Sequence, residues 1–157
     1  LKALSNKAKF KNKDKLFFVD KYYKPELPLN LTKYLLKFAN SSIDISDGLI
    51  DDLAKMINRQ SLSFHLFENK IPVSNKLSNL IKKQRLNKIN LISNGDDYQV
   101  LFTADIKKAR IIQKASKTTG IKITKIGKIV SGKDRSLIFD GKGKQIRAKS
   151  KGYIHRF

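Results

Sequence analysis

Ile43-Asp44-Ile45-Ser46-Asp47-Gly48-Leu49-Ile50-Asp51-Asp52 is the stretch on which the reading of this chain turns. A second acidic cluster, Ser93-Asn94-Gly95-Asp96-Asp97-Tyr98, lies further on, and the two together hold six of the thirteen acidic residues of a 157-residue protein with a formal net charge of +21. Two like charges roughly 4 Å apart, at an effective dielectric near 20, repel by about 4 kcal/mol. Bunched carboxylates therefore shift their pKa, spread into solvent or share a cation. A divalent metal holding polyphosphate is the use this pattern suggests.

Working outward, Ser-Asp-Gly precedes Leu49, Ile50, Leu53, Met56 and Ile57, which share one helical face. This predicts a helix with Ser46 or Asp47 as its cap and with Lys55 and Arg59 near its end. Capping needs one acceptor, whereas the stretch offers Asp44, Ser46, Asp47, Asp51 and Asp52. A helix mouth also presents free backbone N–H groups that suit phosphate oxygens, and carboxylates beside them repel phosphate unless a metal intervenes. In the second cluster, Asn94-Gly95 between Ile89–Ile92 and Tyr98–Phe102 predicts a two-residue hairpin. Asp96 and Asp97 then read either as solvated residues after a turn or as a ligand loop.

The rest of the chain alternates helical and extended signals. Residues 1–20 are Lys/Asn-rich around an apolar knot, Leu16-Phe17-Phe18-Val19, and read as a poorly specified lead-in. Pro25 and Pro28 mark an extended connector. Helices are expected over about 30–39, around Leu77, Leu80 and Ile81 after Ile71-Pro72-Val73-Ser74, and over Ile106 to Ala115 closed by Gly120. Strands are expected at Leu62–Leu66, Ile89–Leu91, Tyr98–Phe102, Ile121–Val130 and Leu137–Phe139, with a Gly141-Lys142-Gly143 turn and a last strand near Ile146. Without a strict βαβ rhythm this is an α+β domain with a mixed β-sheet packed with helices. Length allows one core, so residues 21–157 read as one domain after the lead-in.

Composition narrows the chemistry. With no cysteine, disulfides and thiolate metal sites are excluded. Two scattered histidines, His65 and His155, support neither a zinc site nor a catalytic triad, so any metal should be a hard, oxygen-seeking ion such as magnesium. No run of eighteen apolar residues occurs and the start lacks the sections of a signal peptide, so a soluble, cytoplasmic protein with no membrane partner is expected. Lysine supplies 28 of the 34 basic residues, spread along the whole chain, which fits an AT-rich codon bias better than a nucleic-acid footprint. Arginine, the better reader of bases and phosphates, occurs six times. Gly127-Lys128-Ile129-Val130-Ser131-Gly132-Lys133-Asp134 nearly fits a phosphate loop. It fails because Asp134 replaces the hydroxyl that binds magnesium and a strand follows where a helix is required.

The order of these features resembles the C-terminal domain of thiamine-monophosphate kinase, in the aminoimidazole-ribonucleotide-synthetase-like superfamily. The resemblance is carried by Tyr23-Lys24-Pro25-Glu26-Leu27-Pro28, Ala39 to Leu49 with Asp52-Leu53, Ile71-Pro72-Val73-Ser74, Ser93 to Thr103, Ile123 to Ile129, and Gly152-Tyr153-Ile154-His155. It implies ATP-dependent phosphorylation of thiamine monophosphate to thiamine diphosphate with Mg2+ bridging the phosphates. Carried over by position, Asp44 and Asp47 are metal ligands and Ser46 an ATP contact. Asp96 is a substrate-side residue, Tyr153 packs on the thiamine, and Gly95 and Asp97 support the second loop.

This chain departs from the family at Asn94, where glycine is usual and where Asn can adopt the same left-handed backbone, at Gln99 in place of Glu, and at Leu29 in place of Arg. The family's N-terminal domain, which supplies further aspartates, much of the ATP site and the homodimer interface, is not represented. The Lys-rich start, opening on Leu1, is expected to be what remains of that junction, the apolar knot is where the missing domain would pack, and the fragment alone is expected to be inactive. Two alternatives stand beside this reading. One is a domain of another ATP-using enzyme of the same superfamily. The other is a non-enzymatic basic nucleic-acid-binding module, which would need aromatics interleaved with a positive face.

Overall fold

The computed structural model describes residues 12–58 and 60–148. Its elements are α1 (Asn12–Tyr23), α2 (Thr32–Phe38), β1 (Ala39–Asp44), α3 (Leu49–Met56), β2 (Leu62–Phe67), α4 (Asn75–Gln84), α5 (Lys88–Ile92), β3 (Val100–Ala104), α6 (Ala109–Thr119), β4 (Gly127–Ser131), β5 (Leu137–Phe139) and β6 (Gln145–Ile146). Two sheets result. β1 and β3 form an antiparallel pair, and the other sheet runs β4-β2-β5-β6, with β2 and β5 parallel and the remaining pairs antiparallel. The architecture is α+β with a mixed sheet, as the alternation of signals predicts.

The apolar face of α3 organises the main core. Leu49, Ile50, Leu53 and Ile57 pack with Phe64 and Leu66 of β2, Ile89 and Ile92 of α5, and Leu101 of β3. Burying each such side chain contributes about 1.5–3 kcal/mol, so α3 is anchored far more firmly than its eight residues would manage alone. A smaller core joins Leu31, Phe38 and Ala115, with the Phe38 and Phe102 rings 5.2 Å apart at the back of the β1–β3 pair. The acidic loops therefore sit at one end of a two-stranded sheet braced by one core on α3 and another on α2 and α6.

Several local expectations are corrected. Ile89 and Leu91 lie on a helix, not a strand: Ile89 and Ile92, three apart, are the buried pair, and Asn87 caps α5 by accepting a hydrogen bond from the Asn90 amide at 3.1 Å. Asn94-Gly95 makes no hairpin, because the segment before it is that helix and β3 pairs instead with β1. Asn94 does not adopt a left-handed backbone. Its Nδ2 donates to the carbonyls of Asn90 at 2.6 Å and Leu91 at 3.3 Å, closing the helix end. Strand β1 has no alternating apolar signal to announce it, being Ala-Asn-Ser-Ser-Ile-Asp. Of the extended stretch from Ile121, only Gly127–Ser131 joins a ladder. The Lys-rich start carries α1, whose Phe17 and Phe18 meet edge to face at 5.3 Å.

Candidate active site

The register of β1 against β3 brings the two acidic clusters together. Asp44 pairs with Val100, and beyond the ladder the bonds continue: Ile45 N–H to Gln99 O, Tyr98 N–H to Ile45 O and Asp96 N–H to Ser46 O, each 2.9 Å. Alternation along β1 exposes Asn40, Ser42 and Asp44 and turns Ser41 and Ile43 inward, so Asp44 faces solvent beside the loop that follows it. Two glycines set the contact between the loops. A Cβ on Gly95 would lie 1.7 Å from the Ser46 carbonyl oxygen, and one on Gly48, at φ +126°, would lie 2.4 Å from that of Ser93. Only glycine permits that approach.

Within the first loop neither Ser46 nor Asp47 caps α3. The N-cap is Gly48, without a side-chain bond. Asp52 serves instead. Its side chain is almost fully buried, and one oxygen, Oδ2, accepts the amide hydrogens of Ser46 and Asp47 at 2.9 Å and of Gly48 at 3.0 Å. Asp52 thus meets the amides of the loop just ahead of α3, not those of the helix's own first turn, which begins at Leu49. Sequence reasoning had Asp52 only as one of several capping acceptors and Lys55 only as a charge near the helix end, and gave neither a place in the site. The only signal for Asp52 was a carboxylate in the first turn, where the helix dipole favours it.

Carboxylate oxygens of Asp47, Asp51 and Asp52 lie within 4.8 Å of one another. Hard oxygen donors so spaced fit a magnesium-type ion. Lys55 Nζ sits among them, bonded to Asp47, 2.7 Å from Asp51 and 3.5 Å from Asp52. The hydrogen bond to Asp47, then that to Asp51, holds the ammonium well above the ordinary lysine range. Asp44 is not a member of this trio, so the two expected metal ligands do not belong to one three-carboxylate group.

The second loop is strained. Asp96 and Tyr98 have φ of 69° and 49°, a left-handed backbone unusual for an aspartate and more so for an aromatic residue, fixed by their bonds to Ser46 and Ile45. Gln99 Nε2 reaches the Glu26 carbonyl at 3.4 Å, tying the loop to the proline connector. Among the described residues no lysine or arginine forms a salt bridge with Asp96 or Asp97. The Asp97 carboxyl is pushed up to about 6, first by the chain crowded around it and then by the charge of Asp96. The residue keeps an open face to water, which moderates the effect. Tyr153 lies outside the described residues, as do Arg59 and His155.

No family model matches the chain. The thiamine-monophosphate kinase of Buchnera aphidicola subsp. Acyrthosiphon pisum is 32% identical over 140 residues, 88% of this chain and 42% of that protein. That of Aquifex aeolicus is 29% identical over 141 residues, 89% of this chain and 42% of the relative. Among solved structures, thiamine monophosphate kinase (ThiL) from Aquifex aeolicus superposes with a TM-score of 0.63 at 25% identity, covering 92% of this chain and 46% of its own. AaThiL complexed with AMPPCP and TMP gives a TM-score of 0.69 at 26% identity, covering 98% of this chain and 45% of its own. The chain thus spans somewhat under half the length of the curated relatives it matches, and its fold is aminoimidazole-ribonucleotide-synthetase-like. By sequence along most of its length and by fold, the chain belongs to the thiamine-monophosphate kinase family.

Proposed function

We propose that residues 21–157 are the C-terminal kinase domain of a thiamine-monophosphate kinase, which transfers the terminal phosphoryl group of ATP to thiamine monophosphate with Mg2+ and yields thiamine diphosphate. The observation that carries this reading is the β1–β3 pairing, which sets Asp44, Ser46 and Asp47 beside Asp96 and Asp97 in one antiparallel frame. A relative of the same fold is described in complex with AMPPCP and TMP, a nucleotide analogue and a thiamine phosphate, which supports both as ligand types here.

Asp44 and Asp47 would hold magnesium, with Asp51 able to join Asp47. When bound, the ion would neutralise phosphate charge and clamp the reacting oxygens. The chain's own part is positional. The Ser46 hydroxyl would contact the nucleotide, the rigid left-handed turn at Asp96 would aim a carboxylate at the substrate, and Tyr153 would pack on the thiamine ring. Because Asp52 takes the amides of the loop that enters α3, polyphosphate would meet this loop through cations rather than by bare backbone. An N-terminal domain would complete the donor site and a homodimer. Leu16 at 69%, Tyr23 at 74% and Leu36 at 93% exposure on α1 and α2 offer an apolar face for it.

The test is an assay with ATP, magnesium and thiamine monophosphate, using the chain alone and with the N-terminal half of a relative added. Product is expected only from the mixture, since phosphoryl transfer depends on fixing donor and acceptor in line. Asp47→Asn should cut turnover steeply without unfolding the chain. Robust product from the chain alone, or full turnover with Asp47→Asn at saturating magnesium, would overturn the reading.

A further inference from the structure

We propose that Asp52 is a positioning residue: an internal anion that gathers the amides of the loop entering α3 and thereby fixes the placement of Ser46 and Asp47. The inference rests on the metal-and-nucleotide reading of the loop given above. Three consecutive amides converging on one buried oxygen, at 2.9, 2.9 and 3.0 Å, form the concave arrangement that elsewhere grips a phosphate oxygen. Here the anion belongs to the chain, so the shape of the loop is held by its own residues. The geometry has two consequences. With the backbone N–H groups of Ser46 and Asp47 tied to Asp52, both residues are held in place at a partly exposed position, the Asp47 carboxylate within 4.8 Å of those of Asp51 and Asp52. Asp52 Oδ1 also reaches toward Lys55 Nζ at 3.5 Å, which couples the inner anion to the cation that Asp47 and Asp51 share.

Both oxygens of Asp52 face donors, and this separates a carboxylate from its isostere. In Asp52→Asn the side-chain NH2 must turn either onto the three amides or onto the Lys55 ammonium, and either arrangement sets donor against donor. The loop should then open although the volume is unchanged.

The experiment is NMR on the whole 157-residue chain, with Mn2+ alone as the probe of the metal loop. In the wild type, through-hydrogen-bond couplings should join the amide nitrogens of Ser46, Asp47 and Gly48 to the Asp52 carboxylate carbon, and Mn2+ should broaden resonances of Asp44, Ser46 and Asp47 selectively. In Asp52→Asn the amides of residues 46–48 should exchange with solvent about tenfold faster, roughly the effect of losing one ordinary hydrogen bond each. The Mn2+ broadening should lose its focus on the loop, while amides of β2 and β4 keep their protection. Focused broadening that survives Asp52→Asn would overturn the positioning role even if exchange speeds up. Absence of the couplings in the wild type would overturn it without any variant, which covers the case of a variant that fails to fold. Absence of focused broadening in the wild type would instead sink the metal reading of the loop, a separate failure.

Discussion

The two acidic loops touch, yet they deal with their charge in opposite ways. In the first, carboxylates are answered from within: Asp52 by three amides, Asp47 and Asp51 by Lys55. In the second, Asp96 and Asp97 stand together without a lysine or arginine salt bridge among the described residues, on a backbone with two left-handed non-glycine positions, and Asp97 responds by holding its proton more tightly. A loop neutralised internally holds its shape by its own contacts, whereas a loop left with net negative charge attracts cations. The difference suggests a division of labour in which the first loop supplies fixed geometry and the second supplies demand for a cation or a cationic substrate.

The largest expected effect comes from forcing the loops apart. Gly95→Ala would place a Cβ 1.7 Å from the Ser46 carbonyl oxygen. Both neighbours are backbone, so it should cost about 3 kcal/mol, the upper end of ordinary overpacking, read as a lowered urea midpoint with unchanged slope. A midpoint within error of the wild type would mean the loops do not meet in solution. Lys55→Gln should cost less, about 0.5–1 kcal/mol, because the ammonium is largely exposed and water screens its pairs. Added Mg2+ should restore most of that loss in a thermal melt, since a divalent ion can take over the three carboxylates. If Mg2+ stabilises the variant no more than the wild type, Lys55 is not standing where a metal would bind.

The smallest effect concerns pH and the second loop. Its surroundings push the Asp97 carboxyl up to about 6, above the ordinary aspartate range, so ionised Asp97 disfavours the fold above pH 6 by a small amount that water screens at this exposed position. That penalty fades as the pH falls from about 6 toward 4. Asp97→Asn should therefore melt slightly higher than wild type at pH 7 and together with it at pH 4. Curves that run parallel across that range would place the strain of this loop in its backbone alone.

How much of this was legible in the residues follows from how local each cause is. The helix of Leu49, Ile50, Leu53 and Ile57, the strand of Leu62, Phe64 and Leu66, and the end of α6 at Gly120 are written in spacing, and the structure has them. The relation between the acidic clusters was suggested only by their shared chemistry. Strand β1 is mostly polar, and its place is decided by a partner far along the chain. Asn94-Gly95 misled because a hairpin signal holds only when two strands flank it, and Asn87 had already started a helix on one side. Asp52 was invisible as an anchor because a carboxylate in a first helical turn looks like any other until the loop folds back over it.

The Ser41 and Thr103 hydroxyls, 2.7 Å apart across β1 and β3, are separated by 62 residues of sequence, and those residues include α3, β2, α4 and α5. Closing so long a segment brings no reward until the strands meet, so this pairing, like those of β2 with β4 and β5, is an entropically expensive step of folding. The candidate site is therefore an outcome of long-range pairing and not a local seed for folding.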